Sequence, residues 1–361
     1  MRDELEQLTA RAGEGSGPAA ALVRGRLRAS LAYLRALQDV DAIPFREYIS
    51  DTMGIEPRLQ PEVLIRSSER RLGSLLRDWS KHQLNLATPI TFSRQGFAAF
   101  REESQTGTGE NLKRQFEYFC GKWLNRLIDH IQARFDVSSI VVEFAEEDAY
   151  WKNWISGNVA EGEPITLRIN IHERHVWYQG AVELLVLHEY CGHAVQMALW
   201  HEALRHGEIA SFLGVLTVHF PDQFLLEGLA ESVSYVLPSS NLKLERRSEI
   251  LRELQRYNLL VLNNVHILAN ERGVDVARLY AKQRLPFTSE DAIERELRDR
   301  TRHPLFRTYQ YVYAPAKEAF VSALTPLALQ PRWQLLRHLY RTPMMPDQVQ
   351  ELLATSVKRP Q

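Results

Sequence analysis

Two histidines and a glutamate stand together as His188-Glu189-Tyr190-Cys191-Gly192-His193, inside the largely apolar stretch AVELLVLHEYCGHAVQMALW at 181–200. Imidazole nitrogen and carboxylate oxygen are donors that zinc favours. A catalytic zinc takes three protein ligands and keeps a fourth position open. Two histidines on one helix, with a glutamate beside the first, supply two ligands and a general base. The five-residue spacing carries a condition. At about 100° per residue, side chains five apart on an ideal α-helix lie roughly 140° apart, whereas four apart gives about 40°. His188 and His193 therefore meet one cation only if the helix is locally underwound, as in the π-bulges found at functional sites. Gly192 is the residue best able to permit that distortion.

The third ligand must come from another element. The segment FLLEGLAESVSY at 224–235 sets Glu227 and Glu231 four apart, on one helical face. Glu227 is expected to bind the zinc. Glu231 is expected to accept a hydrogen bond from a ligand histidine and so fix its ring. The same HExxxH spacing recurs as His201-Glu202-Ala203-Leu204-Arg205-His206 without the glycine, and reads as the polar continuation of the first helix. Cys191 lies inside the motif and reads as a packing residue.

The elements that carry these residues follow from periodicity. LVRGRLRASLAYLRALQ and NLKRQFEYFCGKWLNRLIDHIQARF have apolar residues at threes and fours, so the chain from residue 21 to about residue 135 is predicted to be helical. The glycine-rich RAGEGSGPAA at 11–20 reads as a loop, and Gly and Pro clusters near 54–61 and 106–109 separate helices. Between residues 138 and 173 the texture changes. SSIVVEFAEE reads as a strand, ISGNVAEGEP as a turn, and ITLRINIH alternates apolar and polar residues with period two, as a half-buried strand at a sheet edge does. Helical period returns from about residue 176, with stops near Pro221, Pro238 and Pro304. The predicted fold is α+β and predominantly α-helical, with a helical N-terminal lobe over 1–135 and a catalytic region over 136–361, whose small sheet precedes the metal helix.

Composition narrows the class. Of 361 residues, 45% are hydrophobic and 25% charged, which is ordinary for a globular chain. With 44 basic against 45 acidic residues, the balance gives no electrostatic reason to expect nucleic acid or an anionic membrane as a partner. Two cysteines, Cys120 and Cys191, make no disulfide framework, and the N-terminus MRDELEQLTA has no secretory pattern, so a cytoplasmic protein is expected. Oligomeric state is not legible in the sequence.

Taken together these residues resemble the gluzincin zinc peptidases. HEYCGH has the HExxGH form of dipeptidyl peptidase III, and EGLAE looks like that family's second glutamate motif. Roughly residues 165–325 are also similar to a bacterial family of predicted zinc peptidases related to carboxypeptidase Taq. Its HExxPGHHxQ is echoed by Gly192-His193-Ala194-Val195-Gln196 without the proline, and its EGWALY by Glu227-Gly228-Leu229-Ala230. Its later histidine is echoed by His266 in NNVHIL. Its closing P…YxxG is echoed by Pro304 with Tyr311-Val312-Tyr313-Ala314, alanine standing for glycine. The resemblance implies a zincin-like metallopeptidase: Zn2+ on His188, His193 and Glu227, and Glu189 as base for a metal-activated water that attacks a peptide or small amide carbonyl. Tyr311 and His266 are the expected oxyanion donors, with Tyr309 and Tyr313 as alternates. The strand Leu167–His172 would pair with an extended substrate, as the edge strand does in gluzincins. Two rivals use the same atoms: a non-haem iron oxygenase, whose facial triad is two histidines and one carboxylate, and a metal-binding protein without catalysis.

Overall fold

The structure is a computed structural model that describes residues 15–83, 92–104, 109–149, 151–157, 163–239 and 241–358, with isolated positions before residue 15. Helix α1 (Pro18–Gln38) opens inside the stretch expected as a loop. Proline suits the first helical turn, where a backbone N–H has no intrahelical acceptor anyway. Helices α2 (Phe45–Met53), α3 (Glu62–Gln83), α4 (Arg94–Glu102) and α5 (Gly109–Ile131) follow. On α5 the apolar positions Leu112, Phe116, Phe119, Trp123, Leu127 and Ile131 recur at threes and fours, and all are buried. This helix stops short of residue 135 because Gln132 takes a left-handed conformation, with φ of 49°.

The sheet has strands β1 (Ile140–Ala145), β2 (Asn153–Ser156) and β3 (Ile165–Asn170) in the order β1-β3-β2. β3 runs parallel to β1, with Ile140 opposite Ile165, and antiparallel to β2, with Asn153 opposite Ile169. This corrects two expectations. β3 is the central strand, bonded on both sides, and not an edge. Ile165, Leu167 and Ile169 alternate because one face is buried, a pattern that central and edge strands share. The edge near the metal helix is β2, whose Ile155 and Ser156 fall in the segment read as a turn; residues 158–162 of that segment lie outside the described residues.

Helix α6 (Gln179–Leu185), a π-helical segment (Val186–Ala194) and α7 (Val195–Arg205) form one continuous rod. The buried carboxylate of Glu183 anchors its start. It accepts from Lys122 Nζ at 2.6 Å and Trp123 Nε1 at 2.9 Å on α5, and from the backbone N–H of Glu245 at 2.9 Å. Next come α8 (Gln223–Val236), α9 (Arg246–Glu271), α10 (Val274–Arg284), α11 (Glu290–Arg302), α12 (Phe306–Leu324), α13 (Leu329–Arg341) and α14 (Pro346–Lys358). Residues 223–230 of α8 are buried all round, as a helix in the centre of a large core must be.

The residue-135 boundary is not a packing boundary. One hydrophobic cluster joins α2 and α5 to the sheet, the rod over residues 179–205, α8 and α12. A second joins α3 and α4 to α9, α10 and α11. The early helices thus complete cores that the later ones begin. Among the described residues no helix is long and apolar enough to cross a membrane.

Candidate metal centre

The underwinding demanded by the spacing is present. Val186–Ala194 is π-helical, and i→i+5 hydrogen bonding turns residues five apart toward one side. His188 and His193 point their Nε2 atoms at each other, 3.2 Å apart. Tyr340 on α13 donates to the Cys191 carbonyl at 2.8 Å, which gives a carbonyl inside the irregular segment a partner. The role that the structure gives Gly192 is one of packing, which periodicity could not reveal. A Cβ there would lie 2.7 Å from Ala230 Cβ and 2.8 Å from Ala230 Cα, so the missing side chain lets α8 approach the metal helix. Gly192→Ala is expected to cost about 1–3 kcal/mol of stability by overpacking. It should also weaken zinc binding, because the strain falls on the turn of α8 between Glu227 and Glu231. Denaturant titration and zinc titration of the variant check this; parental values in both would refute it.

From α8, Glu227 places Oε2 3.5 Å from His188 Nε2 and 3.6 Å from His193 Nε2. The three donor atoms lie within 4.8 Å of one another. Glu227 Oε2 is buried and has no hydrogen-bond partner among the described residues. A buried carboxylate oxygen left without a donor, facing two imidazole nitrogens, is the environment of a ligand atom. Zinc–ligand distances of about 2.0–2.1 Å in tetrahedral geometry put neighbouring donors about 3.3–3.4 Å apart. Octahedral geometry at the same distances puts them about 2.9 Å apart. The observed 3.2, 3.5 and 3.6 Å bracket the tetrahedral value. Donor types and spacing fit a small divalent cation, zinc among them.

Electrostatics agree. Burial alone would raise the Glu227 carboxyl, but His193, His188 and the Tyr309 hydroxyl outweigh it and bring it down to about 2. Burial opposes a charge on His193, yet Glu227 and the neighbouring carboxylates raise its imidazole to about 9. The carboxylates around His193 thus favour a positive charge in the pocket, a proton on His193 or a cation in its place. To ligate, His193 must lose that proton. Below pH 9 apparent zinc affinity is therefore expected to fall about tenfold per pH unit, and binding at pH 7 should release about one proton from this residue. Calorimetry of zinc binding in buffers of different ionisation enthalpy measures the release, and a value near zero would contradict the assignment.

Glu189 lies in a cleft of about 270 Å³ also lined by His188, Asn153, Trp177 and Glu231. Its Oε1 accepts from Asn153 Nδ2 at 2.7 Å and sits 3.9 Å from His188 Nε2. Glu231 places Oε1 3.8 Å from His188 Nδ1, on the side of the ring away from the other donors. Its Oε2 pairs with Lys317 Nζ at 2.7 Å. Burial raises the Glu231 carboxyl, but Lys317 and His188 outweigh it and keep it low, so it faces the ring as an anion. At 3.8 Å it orients the imidazole electrostatically and makes no direct hydrogen bond.

The expected oxyanion donors require correction. Tyr311 is buried, and its hydroxyl accepts from Arg58 N at 2.7 Å, away from the cleft. His266 is fully buried in the core, with Nε2 3.0 Å from the Arg307 carbonyl, Nδ1 3.2 Å from Arg300 and Phe45 against its ring. Burial and the Arg300 charge push its pKa well below the ordinary value, so it stays neutral. The tyrosines that reach the site are the alternates. Tyr309 donates to Glu227 Oε1 at 2.7 Å, and Tyr313 donates to Tyr309 at 2.6 Å. Positions two apart on a helix point about 200° apart, so Tyr309 and Tyr313 share the face that Tyr311 cannot. Burial and Glu227 hold both phenols well above their usual pKa, so they remain protonated donors.

Sequence reasoning missed Asn153, which holds Glu189, and Lys317, which holds Glu231. Lys317 left a trace: it continues the Tyr309–Tyr313 stripe at the next i+4 position, an ionisable residue on a face bound for the interior. Asn153 left none. The second HExxxH is a polar helix end, with His206 two-thirds exposed 3.6 Å from Glu202. Cys191 is fully buried, outside the donor cluster.

No protein-family model and no curated protein matches this chain. Its fold does match solved structures. A candidate lipoprotein from Colwellia psychrerythraea aligns over 87% of this chain and 55% of its own length, at 13% identity and a TM-score of 0.63. A candidate lipoprotein of unknown function from Shewanella oneidensis aligns over 98% of this chain and 69% of its own, at 12% identity and a TM-score of 0.53. The chain therefore spans little more than half the length of the Colwellia protein. What these likenesses establish is a shared fold: predominantly helical, with a small three-stranded sheet.

Proposed function

We propose that this protein is a zinc-dependent hydrolase of peptide or related amide bonds, a zincin-like metallopeptidase. The observation that carries the reading is the set of three donors at tetrahedral spacing with Glu189 beside them in an open cleft. His188, His193 and Glu227 would hold the metal. When bound, zinc supplies a Lewis acid that makes water more acidic and polarises a carbonyl.

The chain's own groups supply the rest. Glu189, aimed by Asn153, takes a proton from the attacking water and passes it to the leaving amine. Tyr313 and Tyr309 form a chain of protonated donors that ends on the Glu227 carboxylate and would hold that ligand in place. Lys317, through Glu231, fixes the His188 ring. The outer edge of β2 is the edge on which an extended substrate can add, a role expected of β3 from sequence.

Digestion of a peptide library followed by mass spectrometry, zinc-loaded against chelated, tests the reading. Cleavage confined to the loaded protein is expected. Stoichiometric iron with oxygen consumption, in protein purified without added metal, would replace it with the oxygenase reading, because the same triad suits non-haem iron.

A further inference from the structure

The cleft beside Glu189 contains a cation that the chemistry above does not use. Among the described lining residues Lys152 is the one lysine or arginine. Its Nζ donates to the Val176 carbonyl at 2.8 Å and lies 4.2 Å from the centre of the Trp177 ring. An ammonium has three N–H groups, so this carbonyl leaves others to be shared between the ring face and the cleft. Lys317, which pairs with the cleft residue Glu231, is already spent on that carboxylate. Lys152 has no carboxylate within 4 Å among the described residues, and its half-buried ammonium is brought down to about 8 by burial alone. A cation withdrawn from water without a counter-ion gains from an arriving anion.

Its position gives the anion a direction. Lys152 immediately precedes Asn153, the first residue of β2 and the one that aims Glu189. A substrate adding antiparallel to β2 runs its C-terminal end back toward residue 152. A parallel one would bring its N-terminal ammonium there, against a like charge. The cleft, about 270 Å³, is below the roughly 300–1,000 Å³ of a site for a drug-sized molecule. It has room for a residue or two beyond the reacting bond.

We propose that Lys152 binds the C-terminal carboxylate of a short peptide lying along β2, which makes the substrate class peptides cut within one or two residues of a free C-terminus. The clamp deepens the hydrolase reading, since only that reading gives it a scissile bond, but binding can be measured without turnover.

The probes are trialanine and its C-terminal amide, titrated calorimetrically into zinc-loaded full-length Glu189→Gln protein. The acid is expected to bind about tenfold or more tightly than the amide, as for a charge-assisted hydrogen bond gained. Adding Lys152→Met should bring the acid-to-amide ratio close to one, and adding Lys152→Arg should keep the preference. Melting temperatures of the Met and Arg forms guard against a folding defect, the Arg form being the one that must fold and discriminate. Equal binding of acid and amide, no binding of either, or a preference that survives Lys152→Met overturns the clamp. In parallel, wild-type protein is assayed for cleavage of both probes. An acid preference in binding with no cleavage of either peptide would keep the clamp and remove the hydrolase.

Discussion

Glu189→Gln is expected to keep zinc at full occupancy and to lower turnover by about 10²–10⁴-fold, the range that a positioned general base contributes. The substitution isolates one property. Asn153 donates to Glu189 Oε1 at 2.7 Å, and a glutamine carbonyl accepts the same bond. Side-chain volume and orientation are therefore kept, while the capacity to take a proton is lost. Glu189 is not among the three clustered donors, so the metal should stay. Metal analysis and single-turnover kinetics on a peptide found by library digestion report the two effects separately. Unchanged turnover would remove Glu189 as the base.

Glu227→Ala is expected to do the opposite: the metal itself goes. Removing a partner outside the coordination sphere typically costs 10–100-fold in affinity, so loss of a direct ligand should exceed about 100-fold. Among the described residues, α8 offers no free carboxylate to replace it. Glu231, one turn further along α8, is held by Lys317 at 2.7 Å and approaches His188 from the Nδ1 side. The change also strips Tyr309 of its acceptor and leaves its hydroxyl to find another inside a buried region. Dialysis against a graded chelator followed by metal analysis gives the affinity. Full occupancy in the variant would mean that another carboxylate, with Glu231 first in line, is the third ligand.

Legibility of the site followed distance along the chain. His188, Glu189 and His193 fall within six residues, so helix geometry alone related them and required the π-helical turn that Val186–Ala194 contains. Glu227 and Glu231 needed one more step, the i+4 rule on a second helix, which placed both carboxylates on one face. The amphipathic stripes of α5 and the prolines that end helices were equally local, and so the predominantly helical class with a small sheet was legible.

Other assignments depended on which elements meet. Both Tyr309 and Tyr311 lie on α12, and periodicity puts them on opposite faces without saying which one α8 will cover. Packing chose Tyr309, and the hydroxyl of Tyr311 went to the backbone of Arg58. His266 sat in an apolar helix like the metal histidines, but α9 buried it against Phe45, Arg300 and Arg307. The alternation of β3 marked one buried face and could not tell a centre strand from an edge, because strand order is set by pairing between segments, not within them. By itself, then, the sequence determined the candidate donors of one helix and the distortion that brings them together. Tertiary structure alone decided which tyrosines, which amide and which lysine surround it, since those choices follow from the burial of faces by partners 30 or more residues away.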